Sequence, residues 1–189
     1  MKQLLSLCLL TLLSFNAQAG WQLDNEKSLI NFISIKNSTT AEVHHFKSLS
    51  GTIADEIAKV NIDLLSVETN ISIRNERVKS MLFDTSKYSS AFISAKIDAS
   101  RLSALIIGQR YQKELVLTLD LHGITNKIPA TVSVTKLSDY SIMVHSVNPV
   151  ILKASDFGLD KGIEELASIA KLSVISSTVP VTFNLIFSR

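Results

Sequence analysis

Cysteine is almost missing from this sequence: Cys8 is the only one in 189 residues. No intrachain disulfide can form, so a packed core must carry the stability. Glycine and proline are also scarce, at six and three, and no internal repeat, low-complexity tract or linker breaks the chain. Neither sign of charge dominates, with 19 Lys and Arg against 17 Asp and Glu. No basic cluster interleaved with aromatics occurs, which argues against a nucleic-acid partner. Beyond the first 19 residues, no apolar run continues long enough without polar residues to span a bilayer. The Gly-x-Ser-x-Gly elbow of serine hydrolases is absent too.

What is present begins with a leader. Lys2 precedes the apolar run LLSLCLLTLLSF, which ends at Ala17-Gln18-Ala19. A basic start, about a dozen apolar residues and a small-x-small site spell a secretory signal peptide, too short to span a membrane. Residues 1–19 are thus expected to be removed, and 20–189 to form a single domain starting at Gly20. Cys8 leaves with the leader, so the exported protein has no thiol in an oxidising compartment. Without Lys2, 18 basic residues face the 17 acidic ones.

The chain is organised around Lys113 to Lys136. Leu115, Leu117, Leu119 and Leu121 share one face of its first arm, and Ile128, Ala130, Val132 and Val134 one face of its second. Period-two alternation marks strands buried on one side. His122 to Lys127 supplies the reversal, since Gly and Asn tolerate positive φ. A lone hairpin cannot cover such a face, so further strands must join it.

They can be read on both sides. Trp21, Leu23 and Ser28 to Lys36 form a first strand, with apolar residues on both faces. Val43 to Ile57 predicts a second, broken or bulged near Gly51. Lys59 to Leu64 alternates, with Val60, Ile62 and Leu64 aligned. The period then becomes helical over Ser72 to Phe83, where Val78, Met81 and Leu82 share a stripe. Ala91 to Ala99 returns to strand, with Ala91, Ile93, Ala95, Ile97 and Ala99 aligned, and a short apolar stretch follows at Leu102 to Ile107. Tyr140 to Ala154 is another strand, distorted at Asn148-Pro149 because proline lacks the ladder N–H. A second helix spans Gly162 to Leu172. The last strand aligns Val179, Val181, Phe183, Leu185 and Phe187.

About eight strands with short turns and two short helices predict a mainly β fold, an antiparallel barrel whose closure removes exposed edges. Eight strands enclose room that side chains can fill or that one small ligand can occupy. Small inward residues (Ala91, Ala95, Ala99, Ala130) favour a hollow lumen; helices or Phe183, Phe187 and Met81 could plug it. Both outcomes stay open at this level.

A resemblance enters here. The run SVETNISIRNERVKSMLFDTSKYSSAFISAKI, 66–97, resembles the signature segment of the YceI-like family. LTLDLHGIT, Leu117 to Thr125, resembles that family's strand ending in a Gly-x-Thr turn. Ala154 to Phe187 resembles its C-terminal helix and last strand, and WQLD…SLINF its opening. The ordered set covers nearly the whole exported chain. Two positions depart from the pattern: Ser89 stands where proline is common, and Lys171 where a glycine ends the second helix.

The resemblance implies an extended eight-stranded, lipocalin-like barrel in the periplasm, holding a long isoprenoid lipid or quinone-like amphiphile. No motif or spacing in the sequence points to catalytic residues, a metal or a cofactor other than that lipid. The inward stripes then supply an apolar lumen of Val60, Ile62, Ile93, Ala95, Ile97, Leu117, Leu119, Ala130, Val132, Val181, Phe183 and Leu185. A strand of about ten residues is roughly 33 Å long, enough to sheathe an extended prenyl tail. The competing reading is a filled barrel acting as an interaction or stress-protective module; an enzyme acting on the bound lipid is a third. Transient membrane contact and homodimer formation are compatible with either of the first two.

Other candidates carry less. His44 and His45 are adjacent on a strand and point to opposite faces, so they cannot chelate one ion together. His122 and His145 lack the spacing of a zinc site. Asp156-Phe157-Gly158 spells the magnesium triplet of kinases, but no Gly-rich loop or catalytic loop accompanies it. Asp156 with Asp160, and Glu164 with Glu165, read as helix-end and solvated charges.

Overall fold

The computed structural model describes residues 20–189; the expected signal peptide, 1–19, lies outside them. Strand segments follow one another as β1 (Trp21–Leu23), β2 (Leu29–Lys36), β3 (Thr40–Phe46), β4 (Leu49–Ala54), β5 (Ile57–Asp63) and β6 (Val67–Glu68). After helix α1 (Ser72–Arg77) come β7 (Ser90–Lys96), helix α2 (Ala99–Ala104), β8 (Arg110–Leu121), β9 (Ile124–Ser138), β10 (Ser141–Ser146) and β11 (Val150–Lys153). Helix α3 (Asp160–Ile169) and β12 (Thr178–Ser188) complete the chain.

Every strand pairing is antiparallel. Because β1 bonds to both β4 and β12, the ring β1-β4-β5-β7-β8-β9-β10-β12 closes into an eight-stranded barrel. β2 carries on beside β12, β3 beside β2, and short β6 beside β3. Closure pairs most strands on both sides, leaving open edges along the first part of β8 and along β3 beyond its short pairing with β6. Long strands are kinked rather than straight. A helical turn at Asn25–Lys27 parts β1 from β2, and the Asp24 carboxylate accepts the Lys27 N–H to cap it. Asn148-Pro149 parts β10 from β11, where the sequence places a distortion.

The break expected near Gly51 lies elsewhere, at Lys47-Ser48 between β3 and β4. Gly51 is inside β4, so close to the next strand that a β-carbon would stand 2.5 Å from the Lys59 carbonyl oxygen. Its bareness serves strand approach, not a bulge. The strand read as running to Ile57 in fact reverses at Asp55 and Glu56, both left-handed with φ 49° and 60°. Neither Gly nor Pro marks that turn, which is why the pattern hides it. The central reversal is also tighter than expected. Leu121 pairs with Ile124, and His122 and Gly123 alone make the turn at φ 55° and 76°. Thr125, Asn126 and Lys127 belong to the ladder.

The first expected helix forms as α1 and runs into a wide π-type turn at Val78–Leu82. The sequence predicts two helices, and the described residues contain three α-helices. Ala99, aligned by sequence with the inward alanines of β7, opens α2 instead. Asp98 ends the strand by accepting the Arg101 N–H at 2.9 Å, an N-cap that local hydrogen bonding favours over extension. α3 ends without the expected glycine. Lys171 takes the left-handed conformation at φ 54°. Its N–H reaches Ser168 O at 3.0 Å, and Leu172 N–H reaches Ala167 O at 2.9 Å. That pair of bonds is a Schellman cap built on lysine. The π turn and α3 pack together over one end of the barrel, where Val78, Phe83, Phe157, Leu159 and Ile163 are buried. No helix among the described residues is long and apolar enough to cross a membrane.

Candidate functional site

The barrel is hollow. Its lumen is a cavity of about 880 Å³, within the range of small-molecule sites. Period-two alternation aims one side chain in two inward, so each strand contributes a stripe. Val60 and Ile62 of β5, Ile93 and Ala95 of β7, and Ile97 just beyond it line the cavity. So do Leu117 and Leu119 of β8, Val132 of β9, and Val181, Phe183 and Leu185 of β12. Ala130 does not. It is buried on the same face of β9 as Ile128 and Val132. Phe183 stands at the lumen, and Phe157 and Phe187 are buried more completely.

The wall has a lateral gap. β7 pairs with β8 only at Phe92–Ser94 against Thr118–Asp120, whereas β8 pairs with β9 from Arg110 to Leu121. Lys113, Glu114, Leu115, Val116 and Leu117 are consecutive on β8 and all line the cavity. Consecutive residues face opposite ways on a strand, so the cavity reaches the free edge of β8. α2 covers that gap: Leu102 is buried beneath it, and the Arg101 guanidinium lies 4.3 Å from the Tyr111 ring centre. Burial pushes the Tyr111 hydroxyl above its usual pKa, and the phenol stays neutral. Val116 and, in the connection after α2, Ile106 and Ile107 are exposed.

A polar pole lies where β2, β3 and α1 meet the lumen. The inward stripe of β2 runs Ile30, Phe32, Ser34, Lys36, and His44 and Phe46 of β3 also face the cavity. Directly across the ladder, Phe32 faces His44 and Ser34 faces Glu42. Glu42 binds Lys36 Nζ at 2.8 Å and Arg74 Nη1 at 2.6 Å. The Lys36 hydrogen bond, then the charges of Arg74 and Lys36, hold its carboxyl below the ordinary range despite partial burial. Arg74, from α1, also donates through Nη2 to the Thr69 carbonyl. His44 is only 4% exposed, with Nε2 2.9 Å from Ser34 Oγ. Burial first, and the Arg74 charge second, push its pKa down, so the ring is neutral.

Sequence reasoning missed this pole. Its signal was the inward parity of Ser34 and Lys36, masked because Ile33 and Ile35 make the outer face of β2 equally apolar. His44 was weighed only as a metal ligand. It faces the lumen, while His45 stands opposite Asn31 and Glu68. Among the described residues, no three His, Cys, Asp or Glu side chains form a metal-binding group. Asp156-Phe157-Gly158 closes a helical turn after β11, with Gly158 at φ 66° and Phe157 fully buried.

The YceI-like domain matches residues 21–187. A solved polyisoprenoid binding domain from Saccharophagus degradans, implicated in plant cell wall breakdown, is 40% identical, with a TM-score of 0.87 over 89% of this chain and 97% of that one. BcnA of Burkholderia cenocepacia is 20% identical, with a TM-score of 0.67 over 87% of this chain and 98% of that one, and shares the fold. No curated protein matches the sequence. With the family match running from the first strand to the last, and the barrel that match implies now in place, the chain belongs to the YceI-like family.

Proposed function

We propose that this protein is a non-catalytic carrier that holds a long-chain isoprenoid lipid or quinone-like amphiphile in its barrel, shielded from water. The observation that carries the reading is the cavity of about 880 Å³ with its nearly continuous apolar lining. Burial of each methylene contributes about 0.8 kcal/mol, so a long tail binds tightly without many directed contacts. The relative that is 40% identical is a polyisoprenoid binding domain, which supports the same class of ligand here. The basic, apolar, small-residue order of 1–19 supports export to the periplasm. Loading and delivery would then involve transient contact with a membrane or membrane protein.

Native mass spectrometry of protein purified from a periplasm, followed by lipid extraction, tests the reading. A prenyl lipid bound to a chain beginning at Gly20 is the expected result; an empty lumen overturns it. Two substitutions sharpen the comparison. Ala95→Phe projects a ring into the lumen and should displace lipid while leaving the lipid-free protein near wild-type stability. Ala130→Phe, at a buried position on the inward face of β9, tests the filled alternative, in which overpacking should cost about 1–3 kcal/mol.

A further inference from the structure

The turn after α2 exposes two consecutive isoleucines. Ile106 and Ile107 are 64% and 59% exposed, and neither lines the cavity. Apolar residues exposed singly are ordinary on a protein surface. A consecutive pair on a tight turn is not, because turns favour Gly, Pro, Asn, Asp and Ser. The turn is also firmly held. The Gln109 N–H reaches Ile106 O at 3.0 Å, and the Gln109 side-chain oxygen accepts the Ile106 N–H at 3.3 Å. Gly108 takes φ 83° at the third position, as a type II turn requires. Two backbone bonds fasten the turn to β9: Gly108 N–H to Lys136 O at 2.9 Å, and Lys136 N–H to Gln109 O at 3.0 Å. Yet a β-carbon on Gly108 would meet nothing within 4 Å. The chain anchors an apolar tip that stands out from the barrel wall.

The surroundings of the tip indicate what covers it. Leu137, next to the Lys136 anchor, and Tyr140, in the turn between β9 and β10, are exposed at the same end of the barrel. From Ala99 to Lys113 the chain carries Arg101, Arg110 and Lys113 and no Asp or Glu, and all three cations are exposed. Of the neighbouring acids, Asp98 is spent on the α2 cap, Glu114 lines the cavity and Asp139 stands in the β9–β10 turn. An apolar tip with a tyrosine and cations around it suits the interface of an anionic bilayer. Position points the same way. The lateral gap, where the cavity reaches the free edge of β8, lies under α2, and α2 leads directly into this turn. Building on the carrier reading, we propose that the Ile106–Ile107 turn is a membrane-docking tip. It inserts into the interfacial layer of an anionic phospholipid bilayer and sets the gap beneath α2 against it. A prenyl tail then passes between bilayer and lumen without crossing water, which apolar chains avoid. Charge favours a bilayer over a second copy: a two-fold contact would bring the cationic segment against itself, whereas phospholipid phosphates offset it.

The test cosediments protein purified from a periplasm with vesicles of phosphatidylglycerol and phosphatidylethanolamine, and with vesicles of phosphatidylcholine alone. Wild type should bind the anionic vesicles several-fold more tightly, and the advantage should shrink as salt is raised. Ile106→Ser combined with Ile107→Ser should weaken vesicle binding about tenfold, since insertion scales with buried apolar area. The double variant should also slow transfer of a fluorescent prenyl probe between vesicles. Its melting temperature, and its binding of the same probe in detergent, should match wild type. Insertion is read separately. Cys8 is the only native cysteine and lies in the expected leader, so one fluorophore can be placed at will. Attached through Ile107→Cys it should shift to the blue on anionic vesicles; attached through Ile151→Cys, exposed on β11, it should not. Absent vesicle binding, binding equal in wild type and the double variant, or equal shifts at the two sites overturns the docking tip and leaves the carrier reading intact. A wild-type dimer that the double variant converts to monomer, with no vesicle binding, assigns the turn to a second copy and overturns it too. Wild type that binds no prenyl probe in detergent overturns the carrier reading, and the docking tip with it.

Discussion

Arg101 and Tyr111 bridge the one stretch of wall where β7 and β8 do not pair. The guanidinium stacks 4.3 Å from the phenol ring centre and holds α2 across the lateral gap. A cation–π contact at a largely exposed site contributes about 0.5–1 kcal/mol, small against global stability but large for a six-residue helix. Arg101→Ala should leave the melting temperature nearly unchanged and speed release of a fluorescent prenyl probe to acceptor vesicles several-fold. Tyr111→Phe keeps the ring and should release at close to the wild-type rate. Equal release from all three proteins would mean that α2 does not gate the lumen.

Phe157 and Phe183 are both aromatic and both inward, yet they should answer truncation differently. Phe157 is 1% exposed beneath the helical end, so Phe157→Ala should cost about 3–5 kcal/mol in denaturant unfolding. Both rings border the cavity, but Phe183 is only partly buried. Its truncation forfeits fewer contacts and should cost about 1–2 kcal/mol in the lipid-free protein. A reversed order would place Phe183 in packed core.

Gly162 has no room for a side chain. A β-carbon there would stand 2.7 Å from the Met81 carbonyl oxygen and 2.9 Å from Leu82 Cα. Gly162→Ala must push α3 off the π turn and should cost about 1–3 kcal/mol. Chemical denaturation measures the loss, and a gain, as helix propensity alone would give, would show that the two elements separate freely.

Acid should loosen the segment between β6 and α1 first. Glu68 binds Asn75 Nδ2 at 2.9 Å, the Asn70 N–H at 2.6 Å and the Lys47 ammonium. Those bonds, Asn75 foremost, bring its pKa from 4.5 down to about 2. The folded state thus prefers the carboxylate, so the contribution is complete above about 4.5 and is lost as pH falls toward about 2. Wild type should melt progressively lower across that window, and Glu68→Gln should show a shallower dependence there. Parallel pH profiles would remove Glu68 as a source of acid sensitivity.

Alternation in the sequence determined most of the barrel, because a strand buried on one face must repeat every second residue. The stripes at Leu115 to Leu121 and Val179 to Phe187 could be aligned inward from composition alone, and Pro149 announced its own kink. Local chemistry with no such period was harder to read. Asp55-Glu56 turns without glycine, Lys171 caps a helix where glycine is usual, and Asp98 converts the end of an alanine stripe into α2. Which inward residues bound empty space was settled only by closure. Ala95 and Ala130 carry identical side chains in similar patterns, yet Ala95 lines the cavity and Ala130 does not. The polar pole is likewise a tertiary product. Ser34 and His44 come from facing strands and Arg74 from a helix about thirty residues further on, and only the folded barrel brings the three side chains to the lumen lining.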